Sequence, residues 1–187
     1  MNAAAVLAIM CTLVPPADGE RDRYALIAQT IAETATADAR DERTGWAADE
    51  LAAMLIATAR HESDFRRAVH SGKVRGRAGE VCLMQINPKS RRVGRQHHWS
   101  TLAGVDLAAT RRCIETGADH YERHEQVCGR SFGCALARYQ GHKTARNKQT
   151  QRRLGTFWRV LGMLRSRASV DHPQPLSANN RHVPTRR

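Results

Sequence analysis

The segment from Trp46 to His61 constrains the fold most, because helix-forming and apolar residues dominate it. Leu51, Leu55, Thr58 and Glu62 recur at the spacing of one helix face. Glu62 therefore continues the apolar stripe to the C-terminal end of the helix, where the helix dipole is negative. Both features disfavour a charged carboxylate, as the site of a general acid requires. The alternative is a solvated glutamate at a frayed helix end.

Further helical patterns predict a mainly α domain with a small loop or strand lobe. One runs from Tyr24 to Ala35, a second from Asp106, the candidate N-cap, to about Glu125, and a short one ends at Tyr139. A basic amphipathic helix is predicted over 148–166, with one apolar face formed by Leu154, Phe157, Trp158, Leu161 and Leu164.

The segments between these helices are predicted to be less regular. Residues 35–45 read as a polar connection, and the glycine- and arginine-rich stretch 70–80 reads as a loop. The short apolar stretch "VCLMQINP" that follows has an extended character, and residues 89–104 look irregular.

The chain of 187 residues is long enough for one domain with tails. We expect an apolar N-terminal segment at 1–19, a domain at 20–166 and a basic, disordered tail at 167–187. The apolar run from Ala3 to Val14 is too short to span a bilayer. It is a signal peptide or a first buried helix, and the sequence favours neither.

Positive charge is concentrated near the C-terminus. The net charge is +12, and residues 143–187 carry eleven Lys and Arg against one acid, Asp171. The polyanions that such a segment attracts are nucleic acid, an anionic membrane and anionic cell-wall polymers.

The five cysteines lack the paired C-x-x-C spacing of a structural zinc site. Two disulfides among the last four are expected, with Cys82–Cys113 and Cys128–Cys134 favoured among three connectivities. The alternative is that some of them are buried thiols in a reducing compartment.

Three motifs occur in order: "HESDF" at 61–65, "CLMQINP" at 82–88 and "ALARYQGH" at 135–142. Together they resemble the soluble lytic transglycosylases of the lysozyme-like superfamily, relatives of goose-type lysozymes, over residues 46–165. The resemblance implies a lysozyme-like fold with Glu62 as the catalytic acid/base. It also implies substrate contacts by Ser63, Met84, Gln85, Tyr139 and Gln140, with Tyr139 above Glu62.

Enzymes of this kind cut the β-1,4 bond between N-acetylmuramic acid and N-acetylglucosamine. One glutamate protonates the glycosidic oxygen and then removes the C6 hydroxyl proton, so that a 1,6-anhydro ring closes without water, metal or cofactor. If a second carboxylate reaches the site, a water is activated and the enzyme is a lysozyme-type muramidase. Glu80 and Asp64 are the candidates, and Asp64 is expected to face away.

The sequence departs from the family pattern at two places. Cys82 stands where the family has glycine, and "YQGH" replaces Tyr-Asn-Ala-Gly, which leaves substrate contacts near Gln140 in doubt. His61 is not a metal signal, because no H-E-x-x-H follows.

The implied partner is the peptidoglycan glycan strand, and we expect a monomer in the periplasm, secreted, or delivered to the wall by a phage. The basic helix either packs on the domain or also seeks anionic envelope polymers or a membrane surface. A nucleic-acid-binding protein is a rival class, disfavoured because no reader motif and no aromatic platform accompany the charge. A wall-binding module without catalysis is a further alternative.

Overall fold

The computed structural model describes residues 1–41, 45–87 and 101–171, with side chains up to residue 168. These residues form α1 (Ala3–Leu13), α2 (Arg21–Arg40), α3 (Ala48–Glu62), α4 (Arg67–His70), α5 (Leu107–Cys128), α6 (Phe132–Tyr139) and α7 (Lys148–Asp171). The prediction of a mainly α protein is confirmed. The strand lobe is not: the described residues contain no strand, and Val81 and Ile86 form one isolated antiparallel bridge.

Helix α3 is the central helix of the domain. Ten consecutive residues, from Glu50 to Ala59, are buried, and α2, α5 and α7 pack around it. A helix that is small and apolar on nearly every side is stable only when other helices surround it. The predicted interior stripe is confirmed, since Leu51, Leu55 and Thr58 are fully buried.

The two outer helices at the chain ends complete this core. Helix α1 buries Val6, Ile9 and Met10 and packs on α2 and α7. Helix α7 packs on α3 through a face that includes Phe157 and Leu161, as predicted for a last core helix.

The assignment of Trp158 to the buried face of α7 was wrong. Its side chain is 51% exposed, because Trp158 lies beside Phe157 at the edge of the apolar stripe. Its ring meets Phe132 and Phe157 edge-on, at centroid distances of 5.4 and 4.8 Å. Val160 is buried instead.

Two other boundaries differ from the predictions. Helix α2 continues to Arg40, through the first half of the predicted polar connection, because Ala35 and Asp38 still face the core. Helix α7 extends to Asp171, beyond the predicted start of the tail. Most of the irregular region predicted at 89–104, and the tail beyond 171, lie outside the described residues.

Both favoured disulfides are present. Cys82–Cys113 ties the turn before Leu83 to α5, with the Cα atoms 6.2 Å apart. Cys128–Cys134 joins the end of α5 to α6, with a Cα separation of 5.6 Å. The fifth cysteine, Cys11, forms no disulfide. The candidate N-cap is also confirmed, since the Asp106 side chain accepts from the Ala109 N–H at 2.9 Å.

His70, at the end of α4, makes the fold sensitive to acid. It is fully buried, with Nε2 2.9 Å from Thr110 Oγ1 and Nδ1 3.3 Å from Arg23 Nη1. Burial, and then the charge of Arg23, lowers its pKa from 6.5 to about 3. Between these two pH values the unfolded chain binds a proton that the folded chain does not bind.

We therefore expect stability to be fully present above about pH 6.5 and to fall as the pH drops towards 3. His70 should contribute about 1.4 kcal/mol per pH unit to that slope. Urea unfolding of the unchanged protein and of His70→Gln at several pH values measures it. The variant, although less stable overall, should lose this part of the slope. An unchanged slope would contradict the assignment to His70.

Candidate active site

The site begins at the C-terminal end of α3, where Glu62 is the last helical residue. Ser63 closes the helix: its Oγ donates to the Ala59 carbonyl at 2.7 Å and accepts from the Phe65 N–H at 3.3 Å. The Ser63 side chain is buried and bound to backbone, and it does not line the cleft described below. Its predicted contact with substrate stays a prediction.

The chain turns sharply after Ser63. Asp64 and Phe65 adopt left-handed backbone angles, with φ of 56° and 52°. Phe65 is buried against Tyr24, with ring centroids 5.7 Å apart, and its carbonyl accepts from Arg23 Nη2 at 2.6 Å. This buried arginine fixes the turn and, with it, the position at which α3 ends.

The Glu62 side chain lines a cleft of about 940 Å³. The cleft lies between the end of α3, the loop before α5, and parts of α5, α6 and α7. Its lining residues are Glu62, Gly76, Arg77, Glu80, Gln85, Asn87, His120, Arg123, His124, Arg138, Tyr139, Gln140, Gly141, Gln149 and Arg153.

Arg153 of α7 holds the Glu62 side chain. Its Nη1 donates to Glu62 Oε1 at 2.7 Å, and the two side chains are only 10% and 21% exposed. With the Gln140 amide oriented to suit both neighbours, its nitrogen donates to Thr150 Oγ1 at 2.9 Å and its oxygen accepts from Arg153. The Glu62 carboxylate is thus paired with an arginine that the helical pattern of α3 did not predict.

Tyr139 lies beside this pair. Its hydroxyl donates to the Met84 carbonyl at 2.9 Å, and its ring stacks on Tyr121 at a centroid distance of 5.0 Å. Burial, and then the neighbouring Tyr121 and Glu62, raises the pKa of Tyr139. A tyrosine has one hydroxyl proton, and Tyr139 donates it to Met84 rather than to Glu62. Arg153 therefore holds the Glu62 carboxylate, and Tyr139 forms part of the cleft wall.

The segment 81–86, which Tyr139 contacts, forms a tight turn. Val81 and Ile86 exchange backbone hydrogen bonds of 3.2 and 3.0 Å, and Cys82 and Gln85 adopt left-handed φ values of 63° and 48°. Glycine adopts such angles without strain, but here both positions carry side chains.

The two predicted substrate residues of this turn lie on different sides of it. Gln85 lines the cleft, and its Nε2 donates to the Cys82 carbonyl at 3.0 Å. The Met84 side chain is fully buried and packs on α5, where a Cβ at Gly117 would lie 2.5 Å from Met84 Cε. Met84 therefore does not line the cleft with its side chain. Its carbonyl instead accepts the hydrogen bond from Tyr139, which does line the cleft.

The two candidate second carboxylates are separated by the fold. Glu80 lines the cleft, where its Oε2 accepts from the Ala78 N–H at 2.9 Å. Asp64 lies outside the lining and pairs with Arg60.

The wall formed by α5 and α6 is basic. Arg123 and His124 come from α5, and Arg138 comes from the end of α6. Burial, followed by Arg138 and Arg123, lowers the pKa of His124 to about 4. The pKa of His120, one turn earlier, is also lowered to about 4, by burial and then by Arg123.

The fold therefore brings Glu62, Glu80, Gln85, Tyr139 and Gln140 to one cleft and directs the side chains of Ser63 and Met84 into the interior. Sequence reasoning missed the basic residues of this cleft. A signal for Arg153 was present, because it lies four residues before Phe157 and so falls on the buried face of α7.

The Glu62–Arg153 pair should be measurable in stability. We expect Arg153→Met to lower the free energy of unfolding by about 1–3 kcal/mol, because it leaves the part-buried Glu62 carboxylate without its partner. In a protein that already carries Glu62→Gln, which removes that charge, Arg153→Met should lower the free energy of unfolding by less. Urea unfolding of the four members of this double-mutant cycle gives the coupling energy.

The matched control for this cycle is the exposed neighbour Arg152. Arg152→Met should change stability by no more than about 0.5 kcal/mol. A coupling energy indistinguishable from zero between Glu62 and Arg153 would contradict the pair.

No protein-family model, curated protein or solved structure matches the chain. Within the described ranges, no group of three or more His, Cys, Asp and Glu side chains is arranged to hold a metal ion. Among the helices of those ranges, none is both long and apolar enough to cross a membrane.

Proposed function

We propose that the protein is a lytic transglycosylase with a lysozyme-like fold that cuts peptidoglycan strands, with Glu62 as the acid/base. One observation carries this proposal: three motifs far apart in sequence contribute Glu62, Gln85, Tyr139 and Gln140 to a single cleft. Glu62 lies there at the rigid end of a buried helix, where a catalytic group can be held in a fixed position.

The backbone adds independent support. Among the described residues, the non-glycine positions with left-handed φ are Asp64, Phe65, Cys82 and Gln85. All four lie in the two segments that carry the first two motifs. Such conformations cost about 1–3 kcal/mol each and cluster at functional sites, because the surrounding structure must hold them in place.

In the proposed reaction, protonated Glu62 gives its proton to the glycosidic oxygen as the bond from C1 of N-acetylmuramic acid breaks. The bonding electron pair leaves with the oxygen of N-acetylglucosamine, and the substrate's own N-acetyl group supports the positive charge at C1. Glu62, now a carboxylate, takes the proton of the C6 hydroxyl, and O6 closes on C1. Atoms and charge balance without water, metal or cofactor.

In this proposal Arg153 is a positioning residue. Its Nη1 donates to Glu62 Oε1 at 2.7 Å and so holds the side chain that transfers the proton.

Isotopic labelling tests the reaction class. Digestion of insoluble peptidoglycan in water enriched in heavy oxygen should release soluble fragments whose glycan ends carry no heavy oxygen, because ring closure consumes no water. Hydrolysis would place one heavy oxygen at every new reducing end. The absence of soluble fragments from several wall types would contradict the enzyme proposal itself.

A hydrolytic muramidase is the second candidate, because Glu80 shares the cleft with Glu62. If Glu80 activates a water, Glu80→Gln should abolish the incorporation of heavy oxygen. If the reaction is a transglycosylation, the same variant should still form 1,6-anhydro ends.

The partner in this proposal is the peptidoglycan glycan strand, met by a monomer in the periplasm, outside the cell, or at a wall reached by a phage. Exposed basic residues of the C-terminal segment, Arg146 and Arg167 among them, are suited to anionic envelope polymers. A wall- or nucleic-acid-binding protein without catalysis remains the alternative if no cleavage occurs.

A further inference from the structure

The cleft holds more positive charge than the proposed reaction uses. Its lining includes four arginines, Arg77, Arg123, Arg138 and Arg153, and two glutamates, Glu62 and Glu80. Arg153 pairs with Glu62. Arg123 and Arg138 lie on the wall formed by α5 and α6, and Arg77 lies on the loop before α5.

Three basic side chains of the α5–α6 wall, Arg123, His124 and Arg138, line the cleft together. Burial, followed by the charges of Arg138 and Arg123, lowers the pKa of His124 to about 4. Both guanidinium groups therefore act on one ring, although they come from different helices. Because His124 is neutral at pH 7, it adds a polar group to the lining rather than a third charge.

A neutral sugar polymer would gain little from such a wall. An anionic substituent would gain charge-assisted hydrogen bonds, and arginine binds carboxylates in a bidentate geometry that lysine cannot reproduce. A partly enclosed cleft also screens this attraction less than an open surface does.

We propose that Arg123, His124 and Arg138 form a subsite, in the same cleft as Glu62, for a carboxylate carried by the glycan substrate. The identification of the ligand as a glycan rests on the proposed function. Two carboxylates of peptidoglycan have the required chemistry: the lactyl group of each muramyl residue and the acidic groups of its peptide.

Binding to a catalytically disabled protein tests this subsite. The probes for the Glu62→Gln variant are neutral chitohexaose, peptide-free glycan strands, which keep the lactyl carboxylate, and peptide-bearing glycan strands. We expect at least about tenfold tighter binding of a carboxylate-bearing probe than of chitohexaose. Tight binding of peptide-free strands assigns the lactyl group, and tight binding of peptide-bearing strands alone assigns the peptide.

Charge removal completes the test. Adding Arg123→Gln and Arg138→Gln should reduce the preference for the carboxylate-bearing probe by about tenfold and leave chitohexaose binding unchanged. The matched control replaces Arg152 and Arg159, two exposed arginines of α7 outside the lining, with glutamine. It removes the same net charge and should keep the preference.

Three results would overturn the subsite: equal binding of neutral and anionic probes, equal losses for both probes in the cleft variant, or the same loss in the control variant. Failure of the proposed function is distinguishable from these. A charge-dependent preference in a protein that releases no fragments from peptidoglycan would remove the transglycosylase and leave the anionic subsite.

Discussion

The Glu62→Gln variant should cleave peptidoglycan at least about a thousandfold more slowly than the unchanged protein. In the proposed reaction Glu62 transfers a proton twice, and each transfer by a positioned side chain is worth about a hundred- to ten-thousandfold. Glutamine has nearly the same shape, and its amide oxygen still accepts a hydrogen bond from Arg153. The loss should therefore appear in turnover, while the fold and glycan binding persist.

Asp64 supplies the matched control, because it carries the same kind of group two residues away. It lies outside the cleft lining, is half exposed and pairs with Arg60 on the surface. Asp64→Asn should keep activity within about threefold, since exposed ion pairs contribute little stability. Equal activity losses in Glu62→Gln and Asp64→Asn would point to a folding defect at this turn rather than to chemistry.

The second large effect concerns the disulfide between Cys82 and Cys113. It closes a loop of 31 residues, and the constraint that such a loop places on the unfolded chain is worth about 3–4 kcal/mol. Replacing both cysteines with alanine should lower the free energy of unfolding by that amount in urea titrations. The same change at Cys128 and Cys134, which lie six residues apart, should cost only about 2 kcal/mol.

The backbone at Cys82 allows a sharper comparison. Its φ of 63° lies in the left-handed region, which costs a non-glycine residue about 1–2 kcal/mol. The Cys82→Gly/Cys113→Ala variant should therefore be more stable than the Cys82→Ala/Cys113→Ala variant by about 1 kcal/mol. If the alanine version were the more stable one, the strained turn would not be a property of the protein in solution.

Several features were predictable because they depend on residues close together in the sequence. The burial of Leu51, Leu55 and Thr58 on one face of α3 follows from helical periodicity. The N-cap at Asp106 follows from side-chain chemistry, and the short Cys128–Cys134 loop follows from chain length. Each of these features needs only neighbours within a few turns of the same segment.

Features that depend on the packing of distant segments were missed. Trp158 is 51% exposed, although the neighbouring Phe157 is fully buried. Arg153 meets Glu62 across 91 residues of sequence, and Arg23 reaches the turn after α3 from α2. Such contacts form only when the helices pack against one another.

The candidate site residues divide in the same way. Gln85 and Gln140 line the cleft, whereas Ser63 of the first motif and Met84 of the second direct their side chains inward. A motif places a residue in the right segment, but the backbone conformation orients its side chain, and Cys82 and Gln85, on either side of Met84, adopt left-handed angles. Those angles are not readable from residue type, since neither residue is glycine.

The mass of the glycan ends released from peptidoglycan tests the central claim most directly. The unchanged protein and the Asp64→Asn variant should release fragments with 1,6-anhydro ends, each lighter by one water than a hydrolytic product. The Glu62→Gln variant should release essentially none. Ends of the heavier, reducing type would contradict the transglycosylase, and undiminished release by Glu62→Gln would contradict Glu62 as the acid/base.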